Sequence, residues 1–252
     1  MSPGRAALAV VLFVSTVQAS AQDLIHVYGP GGPAPAMKEA AEAFGKASGA
    51  RVEVTAGPTD TWIAAALENA DVIFSGSEYM MTDLVKAMAG RIDETSISPL
   101  YMRPSAILVR PGNPKQIKDL PDLARPGLEV LVVQGSGQTG MWEDMAGKQG
   151  DLGLVRALRR NIVLHAANSG VAKQAWIDRP ELDAWIIYNI WQVANPKLAD
   201  LVSVSRNYVV YRDSGVALTT RGKQGPLGAR FVGFLQSKEG AAIFRKWGWV
   251  TP

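Results

Sequence analysis

Cysteine is missing from this 252-residue sequence, and histidine occurs only at His26 and His165. Without cysteine the chain has neither disulfides nor a thiolate nucleophile. No His-x-x-x-His pair or acidic cluster has the spacing of a catalytic metal site. Ser136 lacks the Gly-x-Ser-x-Gly elbow of a serine hydrolase, because Gln134 occupies the first glycine position. We therefore expect a protein that is not an enzyme and that uses no cofactor or metal.

A large excess of either charge sign is also missing. The formal net charge is +3, and the lysines and arginines form no block. The sequence therefore does not indicate a nucleic-acid partner. A mild basic excess is compatible with a small anionic ligand.

Long apolar runs are missing apart from residues 6–14, which follow a short basic start. Ala19, Ser20 and Ala21 then form a small-residue cleavage site. This arrangement predicts a secretory signal peptide over residues 1–21, too short to span a membrane, with cleavage near Ala21. We expect the mature protein in the bacterial periplasm.

A capping residue is missing where the first predicted helix begins. Residues 25–29 read as a buried strand and residues 35–47 as an amphipathic helix, joined by a Gly-Gly-Pro-Ala segment that starts with Gly31 and Gly32. None of these four residues is a Ser, Thr, Asp or Asn that would cap the free N–H groups. An open helix start behind small residues can hold an anion close to the backbone. An ordinary tight turn has the same sequence.

The strand-turn-helix pattern repeats at residues 51–69 and 71–89. Gly-containing turns between strands and helices are typical of βαβ units, whose ligands bind beyond the carboxyl ends of the strands. The turns that follow the first three strands should therefore share one edge of a parallel sheet. Their polar side chains are candidate ligand contacts or simple helix caps: Thr59, Ser75 and Ser77.

Residues 98–114 predict an extended strand that crosses into a second lobe, followed by a short helix over residues 115–123. Arg103 lies at this crossing, before a proline that restricts its backbone. Its guanidinium is a candidate for a bidentate grip on an oxyanion. A solvated arginine at the edge of the cleft is the alternative.

The second lobe carries the motif Gly135-x-Gly137-x-x-Gly140 after a predicted strand. The motif resembles a dinucleotide site, but the next strand ends without the acidic residue that such a site needs. Glycines still expose N–H groups, so the turn can hold one anionic group or form a capped turn. Its candidate donors are Ser136, Gln138 and Thr139. Asn189, after a later buried strand, is either a contact at the same edge or a structural turn residue.

Five motifs spread over the mature chain carry a family resemblance. They are Gly-Pro-Gly-Gly-Pro-Ala-Pro at 29–35, Thr-Ala-Gly-Pro-Thr-Asp-Thr-Trp at 55–62, Phe-Ser-Gly-Ser-Glu-Tyr-Met-Met at 74–81, Arg-Pro-Ser-Ala-Ile-Leu-Val-Arg-Pro-Gly-Asn-Pro at 103–114 and Gly-Gln-Thr-Gly-Met-Trp-Glu-Asp-Met-Ala-Gly at 137–147. Together they resemble the accessory colonization factor C family of periplasmic solute-binding proteins, which have the type II, sulfate/molybdate-binding-like fold.

The resemblance implies an α/β fold of two lobes, each a mostly parallel sheet flanked by helices, joined by crossing strands. Residues 22–102 and 213–252 would form lobe 1, and residues 103–212 lobe 2. Between the lobes it implies a small oxyanion or organic polyanion such as sulfate, phosphoglycerate or a citrate-like di- or tricarboxylate. The matched motifs place on the cleft Gly31, Gly32, Thr59, Ser75, Ser77, Arg103, Ser136, Gln138 and Thr139.

We therefore expect a periplasmic receptor that binds a small anion for uptake or sensing. An ABC-type membrane permease and a second copy of the chain are its candidate protein partners. The alternative is a cell-surface adhesion or colonization factor whose cleft ligand is secondary.

Overall fold

The computed structural model describes residues 24–252 except for the side chain of Ser136. The predicted signal peptide lies outside the described residues. Within residues 24–252, no helix is long and apolar enough to cross a membrane.

Strands and helices alternate along most of the described chain. The strands are β1 (Leu24–Gly29), β2 (Arg51–Ala56), β3 (Val72–Phe74), β4 (Ser98–Val109), β5 (Val130–Val133), β6 (Ile162–Ala166), β7 (Ala184–Tyr188), β8 (Asp200–Ser203) and β9 (Tyr211–Leu218). The helices are α1 (Ala34–Ser48), α2 (Ile63–Asn69), α3 (Glu78–Ala87), α4 (Met141–Gly147), α5 (Leu152–Asn161), α6 (Ser169–Asp178), α7 (Ile190–Ala194), α8 (Pro226–Leu235) and α9 (Lys238–Lys246).

The strands form one continuous sheet in the order β2-β1-β3-β9-β4-β7-β5-β6, with β8 beside β4. Strands β2, β1 and β3 are parallel to one another, and so are β6, β5 and β7. Parallel neighbours need crossover connections, and most of these connections contain helices. Each parallel group with its helices is one lobe, here called the first and the second lobe. The predicted two-lobed α/β fold is confirmed.

Strands β4 and β9 connect the lobes. β9 pairs with β3 on one side and with the first half of β4 on the other, and the second half of β4 pairs with β7 and β8. All these pairings are antiparallel. Pairing with β9 ends at Pro104 and pairing with β7 begins at Ser105. The predicted crossing strand is therefore confirmed, and Arg103 lies where β4 changes partners.

Large aromatic side chains fill the core on the helix-covered faces. The ring of Phe44 on α1 lies 5.3 Å from that of Phe231 on α8, and the ring of Trp176 on α6 lies 6.2 Å from that of Trp185 on β7. All four are buried. These four aromatic side chains stabilise the fold by packing.

The prediction of a helix over residues 115–123 was wrong in extent, because only Leu120–Ala124 forms a 3₁₀ helix. Asn113 and Gln116 have positive φ angles of 46° and 51°, which a helix excludes. The Asp119 carboxylate then caps the turn by accepting a hydrogen bond from the Leu120 N–H at 2.8 Å. The chain therefore bends twice before the helical turn begins.

Candidate functional site

A cavity of about 130 Å³ lies between the two lobes. Its walls are mainly the turns that follow β1, β2 and β3 in the first lobe and β5 and β6 in the second. In a parallel sheet these carboxyl ends are where ligands bind. The lining residues are Pro30, Gly31, Gly32, Pro33, Gly57, Pro58, Gly76, Arg103, Gly137, Gln138, Asn168, Ser169, Gly170 and Trp191.

Helix α1 begins at this cavity without a side-chain cap. Pro33 is the residue before its first turn, and no side chain accepts a hydrogen bond from the first N–H groups. A glycine pair, Gly31 and Gly32, precedes it and lines the cavity. The open helix start that the sequence predicted is confirmed, and its positive dipole end lies beside the cavity.

Arg103 is the one residue with a charged side chain among the lining residues of the described chain. It is only 3% exposed. Its Nη2 donates a hydrogen bond to the carbonyl of Gly76, while its Nε is buried without a partner. A buried cation with an unused donor is unfavourable unless an anion joins it.

Two aromatic rings hold the Arg103 guanidinium. Its central carbon lies 3.9 Å from the centre of the Tyr188 ring and 5.1 Å from the centre of the Trp249 ring. Burial lowers the pKa of Arg103, whereas Tyr188 and the buried carboxylate of Asp213 raise it. An arginine pKa is so high that the side chain stays charged. The guanidinium is therefore a fixed positive charge in the cavity wall.

The two lobes touch beside this guanidinium. A Cβ atom placed on Gly137 of the second lobe would overlap the carbonyl group of Gly76 of the first lobe. The hydroxyl of Tyr188 donates to the carbonyl of Gly137 at 2.8 Å. Burial raises the pKa of Tyr188, although Arg103 lowers it, so the phenol remains a donor. Only a residue without a side chain at position 137 allows the two turns to approach this closely.

Gln138 extends the polar wall on the second lobe. Its side chain is 5% exposed, and its Nε2 donates to the hydroxyl of Ser169 at 2.5 Å. Its Oε1 is buried without a partner. Asn168 caps α6 by accepting from the Val171 N–H at 3.0 Å. Because Asn168, Ser169 and Gly170 line the cavity, the start of α6 also borders it.

Two buried hydroxyls from the sequence-predicted set hold the protein together instead of lining the cavity. The Ser75 hydroxyl accepts from the N–H of Gly215 on β9 at 3.1 Å. The Ser77 hydroxyl caps α3 by accepting from the Met80 N–H at 3.2 Å. These contacts agree with the cap interpretation for Ser77 and show that Ser75 binds a crossing strand.

The remaining sequence-predicted residues lie near the cavity or bind the C-terminal segment. Thr59 follows the lining pair Gly57 and Pro58, and exposed Thr139 follows Gln138. The Asn189 Nδ2 donates to the carbonyl of Gly248 at 2.7 Å, which joins the end of β7 to the C-terminal segment. The side chain of Ser136 lies outside the described part of the structure.

Sequence reasoning missed Asn168, Ser169, Gly170 and Trp191. The Asn-Ser-Gly sequence at 168–170 is typical of a capped helix start, which does not by itself indicate a ligand contact. The Trp191 Nε1 lies 3.7 Å from the position that a Cβ on Gly32 would take. Its placement at the lobe boundary depends on the tertiary fold and has no local sequence signal.

A larger open groove of about 1010 Å³ lies elsewhere, between α1 and α9. Two of its charged residues pair with each other, since the Glu39 carboxylate accepts from Lys246 at 2.8 Å, and it also accepts from the Trp247 indole at 2.7 Å. We assign the site to the smaller cavity because both lobes enclose it and a buried cation lines it. In residues 24–252, no group of three or more His, Asp or Glu side chains could hold a metal ion.

Comparisons with known proteins identify relatives of this chain. PEB3 from Campylobacter jejuni is 34% identical with a TM-score of 0.85, and the alignment covers 90% of this chain and 100% of that chain. A structure of PEB3 bound to L-phospholactate is 33% identical, with the same TM-score and coverage. The sulfate-binding protein SubI from Mycobacterium tuberculosis H37Rv is 19% identical, with a TM-score of 0.75 over 90% of this chain and 86% of that chain, and therefore shows only a shared fold. No match was found among curated proteins.

A protein-family sequence model that matches nearly the whole described chain shows the family. Residues 25–250 match the model described as bacterial extracellular solute-binding protein. The two-lobed fold and the cavity between the lobes agree with this match. The chain therefore belongs to the bacterial extracellular solute-binding proteins.

Proposed function

We propose that this chain is a periplasmic receptor that holds a small oxyanion or organic polyanion between its two lobes. Sulfate, phosphoglycerate and citrate-like di- or tricarboxylates are the candidate ligands. The receptor captures its ligand for uptake or sensing and carries out no reaction on it. A membrane permease of the ABC type is the partner that uptake would need.

The observation that carries this proposal is the buried guanidinium of Arg103. It is 3% exposed, lines the cavity between the lobes and has a buried Nε with no partner. An anion in the cavity would pair the charge and use the free donor. The buried Asp213 carboxylate already offsets part of this charge, and an anion that accepts from the guanidinium would offset more of it.

The rest of the wall favours an anion of low charge. Apart from Arg103, the lining residues are glycines, prolines, amides, a serine and a tryptophan. Neutral N–H and O–H donors can hold one compact anionic group, but a tricarboxylate would call for more cations and more space than about 130 Å³. The relative PEB3 binds L-phospholactate, a small phosphorylated acid, which supports the same ligand class here.

Lobe closure is the mechanism that we propose for capture. We place the hinge where β4 and β9 cross, with boundaries near residues 103 and 213. Rotation about these strands would separate the turns at Gly76 and Gly137 and open the cavity. Closure around a bound anion would then remove its water and strengthen its pairing with Arg103.

The experiment is a calorimetric titration of the mature protein with sulfate, phosphate, 3-phosphoglycerate and citrate. At least one should bind with a micromolar or lower Kd, and Arg103→Met should weaken it by at least about a hundredfold, since a buried charge pair is lost. Arg110→Met is the matched control. Arg110 also stacks on an aromatic ring, 3.7 Å from the centre of Trp176, but lies outside the cavity.

The titration also separates this receptor from the adhesion alternative. If the anions bind and Arg103→Met abolishes binding, the receptor function is supported. If no anion binds to the folded wild-type protein while cells or glycans do, the receptor proposal fails. Adhesion that survives the Arg103 substitution would likewise point to a surface other than the cavity.

A further inference from the structure

One hydrogen-bond donor and one hydrogen-bond acceptor are buried without partners in side chains that line the cavity. One is the Nε donor of Arg103 and the other is the Oε1 acceptor of Gln138. We infer that the ligand carries an O–H donor beside its anionic group. This inference rests on the proposed function, and it narrows the ligand class within it.

The Gln138 amide is held in one orientation. Its Nε2 donates to the Ser169 hydroxyl at 2.5 Å, and its side chain is 5% exposed. Ser169 is the first residue of α6 and lines the same cavity. With Nε2 bound to the Ser169 hydroxyl, the buried Oε1 acceptor is left for a different partner. A buried amide oxygen that stays unpaired is unfavourable.

The two unpartnered atoms lie on different parts of the fold. Arg103 comes from the crossing strand β4, whereas Gln138 comes from the turn after β5 in the second lobe. A ligand that reached both would join the crossing strand to the second lobe. Its anionic oxygen would accept from Arg103, and its O–H would donate to Gln138.

Chemistry separates the candidate anions on this basis. Sulfate and succinate, when fully ionised, offer acceptors only, and each would leave the Gln138 oxygen unpaired. A hydroxy acid offers a hydroxyl, and a protonated phosphate offers an acid O–H. Both supply the donor, so the shared requirement is an O–H group on a small anion.

The first test compares malate with succinate by calorimetry at about pH 8, where carboxylic acids are ionised. The two anions differ by one hydroxyl. We expect malate to bind at least about tenfold more tightly, because the hydroxyl pairs a buried acceptor. Gln138→Met should reduce this ratio to near one, and Ser169→Ala should lower it by freeing the amide. Gln174→Met, on the exposed face of α6, is the matched control and should keep the ratio.

The second test compares phosphate with sulfate at about pH 6, where phosphate keeps an acid O–H. If phosphate binds more tightly than sulfate and this preference disappears in Gln138→Met, the acid O–H of phosphate is the donor and the inference is supported. If malate binds more tightly than succinate, the inference is supported with a hydroxyl as the donor. Equal or tighter binding of the donor-free anion in both tests would overturn it while leaving the anion receptor intact. If none of these four anions bound to the folded protein, and 3-phosphoglycerate and citrate did not bind either, the proposed function would fail as well. Melting temperatures of every variant establish that each one is folded.

Discussion

The guanidinium carbon of Arg103 lies 3.9 Å from the centre of the Tyr188 ring, and the Tyr188 hydroxyl donates to the carbonyl of Gly137 at 2.8 Å. One tyrosine therefore supports the buried cation with its ring and the second-lobe turn with its hydroxyl. This double contact links the crossing strand to the second lobe at the cavity. Its two halves can be separated by substitution.

Tyr188→Phe keeps the ring and removes the hydroxyl. It should lower the free energy of unfolding by about 1 kcal/mol, because the buried Gly137 carbonyl loses its donor. Anion affinity should change only a few-fold. Tyr188→Leu also removes the cation–π contact and should weaken binding by roughly tenfold, in line with about 1–2 kcal/mol for a desolvated pair. Denaturant titration and calorimetry measure the two effects, and equal affinities for both variants would contradict this division of roles.

Gly137→Ala should block closure of the lobes. The added Cβ would overlap the Gly76 carbonyl, whereas the φ angle of Gly137 is −71° and permits alanine. The effect of the substitution is therefore steric. We expect anion binding to be at least tenfold weaker, with each lobe still folded. Small-angle X-ray scattering should also show a larger radius of gyration than that of the wild type. Gly147→Ala is the control, because a Cβ there meets nothing within 4 Å. A Gly137→Ala protein with the wild-type radius of gyration and the wild-type anion affinity would disprove the closure model.

Asn189→Ala tests whether this residue contacts the ligand or stabilises the hinge. Because its Nδ2 donates to the Gly248 carbonyl at 2.7 Å, we expect a stability loss of about 1 kcal/mol and an affinity within about twofold of wild type. Chemical denaturation and calorimetry on the same sample distinguish the two roles. Abolished binding with unchanged stability would instead make Asn189 a ligand residue.

Glu78 should make stability depend on pH. Glu78 is exposed like Glu68, but partial desolvation and the neighbouring carboxylate of Asp213 raise its pKa above the ordinary value. A raised carboxyl pKa in the folded state means that stability is lost as the pH rises through that pKa. Glu78→Gln removes this loss. Its melting temperature relative to wild type should therefore increase between about pH 4 and about pH 7.

The exposed residue Glu68 supplies the control for this pH series. Glu68→Gln should show no comparable rise relative to wild type over the same interval. If the Glu78→Gln protein became less stable relative to wild type as the pH increased, the assigned direction of the pKa shift would be wrong. The experiment needs no ligand, so it is independent of the proposed function.

Much of the fold was predictable because its signals are local. The uncapped start of α1 followed from the Gly-Gly-Pro-Ala segment, and the position of Arg103 on a crossing strand followed from residues 98–114. The partner of Ser75 was not predictable in this way. Its hydroxyl meets Gly215, which is 140 residues away in sequence. Only the antiparallel return of β9 brings the two together.

The site was predictable in part for the same reason. Glycine turns after the early strands indicated the first-lobe wall, since Gly31 and Gly32 do line the cavity. Local sequence could not show that Ser169 would orient the Gln138 amide, because this contact joins the ends of two different strands. Nor could it show that Trp191 borders the cavity, because a tryptophan at helical spacing is usually packed in a core.

The most direct test of the anion receptor is diffraction from crystals grown with arsenate, with data recorded at the arsenic absorption edge. Arsenate in its protonated form offers both acceptors and an O–H donor. We predict an anomalous peak in the cavity between the lobes, with an arsenate oxygen about 3 Å from a guanidinium nitrogen of Arg103. A peak confined to the groove between α1 and α9, or an empty cavity in crystals of protein that binds arsenate in solution, would contradict it.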